Sequence, residues 1–91
     1  MKVLVDSNMA IHGVFEPPFE VELTESNNTL RALLEELSDL CQTVEFINGD
    51  EIGSDIETVL VNGKEHYYVN INLKEGDKVK IMVQMVPLGG G

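Results

Sequence analysis

The chain has 91 residues, 43% of them hydrophobic and 24% charged, and carries 16 acids against 6 bases for a net charge of −10. A chain this short holds one domain and one modest core, because it buries only about 60–65% of its unfolded surface. The charge argues against binding nucleic acid or an anionic membrane, whose phosphates would repel it, and points to a partner with a basic face.

Cys41 is the single cysteine, so an internal disulfide and a cysteine-based metal cluster are excluded. The opening "MKVLVDSNMA" has too short an apolar run for a signal-peptide core, and no run reaches membrane-spanning length. These features lead us to expect a cytoplasmic protein.

Residues 2–5 ("KVLV") read as a short strand. Residues 19–24 ("FEVELT") alternate, with Phe19, Val21 and Leu23 on one face and Glu20, Glu22 and Thr24 on the other. That period of two predicts a half-buried strand. Gly13 and the pair Pro17-Pro18 mark the intervening stretch as turn or loop, since proline cannot donate to a ladder. A hairpin with a long or irregular connection follows from this order.

The clearest helix spans roughly residues 29–41. Asn27, Asn28 or Thr29 can cap it, and Leu30, Leu33, Leu34, Leu37 and Cys41 recur at helical spacing with Leu40 beside them. Arg31, Glu35, Glu36 and Asp39 fall largely on the other side. Residues 42–57 are less legible: "TVEFI" has strand character, and "NGDEIGSD" is turn chemistry.

"ETVLVNGKEHYY" then gives two short strands about Asn62-Gly63, a strong two-residue hairpin signal. After a turn at Glu75-Gly76-Asp77, "KVKIMVQMV" alternates, with Val79, Ile81, Val83 and Met85 inward and Lys80, Met82 and Gln84 outward. A right-handed crossover through the helix would set the first and last strands parallel and side by side. The expected fold is therefore α+β, of the β-grasp (ubiquitin-like) type: a mixed sheet of four to five strands with one main helix on one face. The expected division is a body of residues 1–86 and a tail of residues 87–91.

With that order in hand, three pieces resemble the ubiquitin-like sulfur carriers of the MoaD/ThiS type. They are Val61-Asn62-Gly63, the run from Leu73 to Val79 ("LKEGDKV"), and the C-terminal glycines. The resemblance covers nearly the whole chain. It departs from the family in ending on three glycines rather than two, in the stretch "DSNMAIHGVFEPP", and in "INGDEIGSD".

The resemblance implies a chemistry for the tail. A carboxylate is a poor electrophile with no leaving group. An adenylating enzyme of the ubiquitin-activating type would consume ATP to join the terminal glycine carboxylate to AMP. A sulfur nucleophile, usually a persulfide, would displace AMP and lead to a thiocarboxylate, delivered to a sulfur-accepting synthase. Gly91 is the candidate for activation, or Gly90 if Gly91 is trimmed.

Glycine at positions 89, 90 and 91 lets a tail thread a narrow channel, and Pro87 to Gly91 spans at most about 16–18 Å when extended. On this reading the chain is a carrier and not an enzyme, binds no cofactor itself, and is a monomer when free. Molybdopterin synthesis is favoured over thiamin synthesis on length alone. Conjugation of the same tail to lysines, and a β-grasp interaction module with an incidental tail, stand as alternatives.

Strand parity also places Leu60 and Met82 outward. With Val86 and Leu88 they would form an apolar docking face beside Pro87 and the glycines, its acidic surroundings meeting a basic rim on the partner. Cys41 reads as a core residue. His12 and His66 lack metal-ligand spacing, and Asp50, Glu51 and Asp55 read as a solvated acidic loop. No nucleophile-and-base arrangement stands out.

Overall fold

The computed structural model describes residues 1–84. Seven strands and one helix follow in the order β1 (Lys2–Ser7), β2 (Phe19–Glu22), α1 (Leu30–Leu40), β3 (Ile47–Asn48), β4 (Glu51–Ile52), β5 (Ile56–Val61), β6 (Lys64–His66) and β7 (Lys78–Val83). Five of these strands form one sheet in the order β2-β1-β7-β5-β6, and β3 and β4 form a separate two-stranded hairpin. β1 and β7 are parallel, with Val5 beside Val79, and the other pairs are antiparallel. This is the β-grasp arrangement, a mixed sheet of five strands with one helix.

The sheet is two-sided, and the period of two decides what each side carries. Val3, Val5, Val59, Val61, Val79, Ile81 and Val83 point into the core. They meet Leu30, Leu33, Leu34 and Leu37 of α1, all essentially without solvent contact. Leu40 falls off this apolar stripe and is exposed, whereas Cys41 is buried at the helix C-cap. Phe15, in the connection between β1 and β2, packs edge-on against Phe19 and tilted against Phe46, closing the far end of the core.

Thr29 is the helix N-cap, accepting a hydrogen bond from the Ala32 N–H at 3.2 Å. The next unpaired amides of α1 are satisfied from a distant segment. Leu30 N–H donates to the Ile71 carbonyl and Arg31 N–H to the Val69 carbonyl. Arg31 then reaches across to the Gly49 carbonyl at 3.1 Å and pairs with Asp50, pinning the β3–β4 hairpin to the helix. The strand expected in residues 43–47 is only this short hairpin, turned through Gly49 at φ +60°.

Residues 45–55 fold on themselves through reciprocal contacts. The Glu45 carboxylate accepts from both the Ser54 N–H (2.7 Å) and the Ser54 hydroxyl (2.6 Å), while Asp55 accepts from the Glu45 N–H at 2.8 Å. These donors favour the ionised carboxylate and hold the Glu45 pKa below its ordinary value. A depressed acid stabilises the fold above its unfolded pKa, and that contribution disappears as pH falls through the folded value. Glu45→Gln should therefore lower the urea midpoint at neutral pH. The gap should close as pH drops below about 4, near the ordinary glutamate value. A gap of constant size across that range would contradict the contact.

Candidate functional site

Two features of the last strand define the candidate site: the open face of the sheet that it shares with β1 and β5, and the way its end is held. On that face the side chains opposite the core are Leu4 and Asp6 of β1, Lys78, Lys80 and Met82 of β7, and Thr58 and Leu60 of β5. Leu60 stands opposite Lys80, and Met82 opposite Thr58. The two apolar residues are thus diagonal neighbours on one face, within reach of each other's side chains. Both are half-buried. Their outward parity follows from Val59, Val61, Ile81 and Val83 being buried around them.

Toward the start of β7 the face deepens into a recess of about 360 Å³. Leu4, Pro18 and Leu60 line it together with Asp6, Lys78 and Lys80. Leu4 was not among the expected docking residues, although the alternation of "KVLVDS" carries its parity.

The turn at one end of the recess is built by Asn62. At φ +53° it sits in the left-handed region, followed by Gly63 at φ +84°, which gives the paired positive angles of a two-residue hairpin turn. Its side chain accepts from the Lys78 N–H and donates to the Asp77 carboxylate, both at 2.9 Å, so it also sets where β7 begins.

The opposite end of β7 is clamped from both sides. Asn8 acts as a substitute strand neighbour, with Oδ1 accepting from the Val83 N–H at 2.8 Å and Nδ2 donating to the Val83 carbonyl at 2.9 Å. Gln84 N–H donates to the Asp55 carbonyl at 2.8 Å. Asn8 lies in a stretch whose sequence reads only as loop. Nothing local distinguishes an asparagine that pairs with a residue 75 positions away.

The expected tail and docking residues Val86, Pro87, Leu88, Gly89, Gly90 and Gly91 lie outside the described residues, as does Met85. Among the described residues no group of three or more His, Cys, Asp or Glu is placed to hold a metal ion. No described helix is long and apolar enough to cross a membrane.

The fold has close counterparts among solved structures. The Haloferax volcanii HVO 2177 protein superposes with a TM-score of 0.72 at 20% identity, over 100% of this chain and 87% of that one. A chain described as molybdopterin converting factor subunit 1 from Pyrococcus furiosus gives 0.65 at 24% identity, over 92% of this chain and 98% of that one. A chain from the complex of subunits 1 and 2 of molybdopterin-converting factor of Helicobacter pylori 26695 gives 0.60 at 20% identity, over 96% and 99%. At these identities the likeness establishes a shared β-grasp fold. No protein-family model matches the sequence, and no curated protein matches it.

Proposed function

We propose that the chain is a ubiquitin-like sulfur carrier, a protein co-substrate whose C-terminal glycine carboxylate is activated by a partner enzyme. The observation that carries the reading is the coupling of a β-grasp body to a sequence that has Gly89-Gly90-Gly91 a few residues beyond β7. The likeness of the body to molybdopterin converting factor chains over nearly their whole length supports the same reading, and favours molybdopterin over thiamin synthesis.

In this account the body and the tail divide the work. The face around Leu60 and Met82 docks on the partner, while Pro87 and Leu88 lead the glycines toward its active site. The partner joins the glycine carboxylate to AMP with loss of pyrophosphate. The terminal sulfur of a persulfide then displaces AMP, and a thiol cleaves the resulting acyl disulfide to leave the thiocarboxylate. The Asn8 clamp holds the Val83 end of β7, the strand that precedes Pro87 and the glycines in the sequence.

Activation is tested with a ubiquitin-activating-type adenylating enzyme of the sulfur-carrier pathways and ATP. Pyrophosphate release should depend on this chain and should cease when one residue is added after Gly91. Release that persists with the extended chain would refute a role for the Gly91 carboxylate. Higher-mass lysine adducts, lost on deleting Gly90 and Gly91, would redirect the reading to a protein modifier.

A further inference from the structure

The docking face has a charge pattern opposite in sign to the chain that carries it. Only 6 of the 91 residues are basic, yet Lys78 and Lys80 both stand at the recess in the middle of the open face. Neither ammonium forms an ion pair among the described residues, although 16 acids are present in the chain. Asp6 lies beside Lys80 in register, and its Oδ1 accepts the Ser7 N–H at 2.8 Å. Two further carboxylates of the face stand on the outer strands, with Glu20 opposite Leu4 on β2 and Glu65 opposite Leu60 on β6. Glu65 accepts from the Tyr67 hydroxyl at 3.0 Å, which raises the phenol's pKa.

The face is therefore apolar at its centre, where two lysines outnumber the single carboxylate of Asp6, and anionic on its outer strands. The exposed acids Glu35, Glu36 and Asp39 are on α1, on the opposite side of the sheet. The sheet lies between them and the recess, and exposed charges farther apart than about 8 Å are largely screened at physiological salt. The net charge governs approach at long range, while the two lysines govern contact.

From this we infer that the recess receives a protein segment in which an apolar side chain is flanked by carboxylates, with basic residues farther out to meet Glu20 and Glu65. The inference rests on reading this face as the docking surface. A volume of about 360 Å³ lies at the small end of ligand pockets, roughly 300–1,000 Å³, and suits one or two side chains. Lysine stems can line its walls while their charged ends stay at the opening.

The test is a chemical-shift titration of the full-length chain with capped pentapeptides, Asp-Leu-Glu-Leu-Asp and its counterpart Lys-Leu-Lys-Leu-Lys. The acidic peptide should move the amides of Leu4, Leu60, Lys78 and Lys80, and the basic one should not. The double variant Lys78→Glu/Lys80→Glu changes two exposed side chains and should keep a folded spectrum. It should bind the acidic peptide about tenfold more weakly or worse, since like charges oppose at contact, and should gain affinity for the basic peptide. Silence of these amides toward the acidic peptide, or equal response to both peptides, would overturn the proposal. So would octanoate moving them as strongly, which would replace a protein segment with a small anionic amphiphile. No step of the titration involves ATP or the tail, so a chain never adenylated would still give a clear answer here.

Discussion

Gly53→Ala should destabilise the protein by about 3 kcal/mol or more, at the upper end of overpacking costs, because the obstruction is backbone and cannot rotate away. A β-carbon at this position would lie 2.0 Å from the Glu45 carbonyl oxygen and 2.8 Å from the Phe46 carbonyl carbon. Gly53 N–H donates to the Phe46 carbonyl at 2.9 Å, so the two segments cannot part without losing that bond. For a domain of this size the loss corresponds to a fall in Tm of roughly 12–24 °C. Gly49→Ala is the contrasting variant. Its added carbon meets nothing within 4 Å, and only the left-handed angle of φ +60° opposes it. That substitution should cost about 1–2 kcal/mol. Equal Tm values for the two variants would show that the Gly53 contact is not the tight one.

Phe46→Ala should cost about 3–5 kcal/mol, the usual range for deleting a buried aromatic ring. Phe46 is completely buried, and its ring centroid is 5.8 Å from that of Phe15. It closes the core where α1 ends, and the buried rings and leucines around it cannot collapse fully into the space it leaves. A small domain has only about 0.05–0.15 kcal/mol of stability per residue, so this loss takes much of the total. Urea unfolding should show the midpoint falling steeply for Ala and far less for Phe46→Leu, which keeps most of the volume. A midpoint unchanged in the alanine variant would place Phe46 outside the core.

Both variants lie in the stretch of sequence that was hardest to read. Helix α1 was legible because its leucines repeat at the helical period over eleven residues, and β7 because its alternation is strict. The β5–β6 hairpin was legible through Asn62-Gly63, whose positive φ angles few other residue pairs adopt easily. Residues 42–55 have no such period. Their order comes from Arg31 on the helix, from the Glu45 carboxylate accepting two bonds from Ser54, and from Gly53 closing against a carbonyl, none of which leaves a local repeat.

The candidate site divides the same way. Strand parity put Leu60 and Met82 on the open face, and the structure places them as diagonal neighbours there. Leu4 and Pro18 join them because β1 pairs with β7 on one side and with β2, which begins just after Pro18, on the other. Whole-chain charge suggested a basic partner, but a sum over the sequence cannot show that two of the six basic residues share the centre of one face.

The most direct measurement of the carrier reading is the intact mass of the full-length protein after incubation with a competent adenylating enzyme, ATP and a persulfide donor. The expected result is a single gain equal to replacement of one oxygen by one sulfur, located on the C-terminal glycine by fragmentation. An unchanged mass, with the same enzyme converting its own known carrier in a parallel reaction, would contradict it.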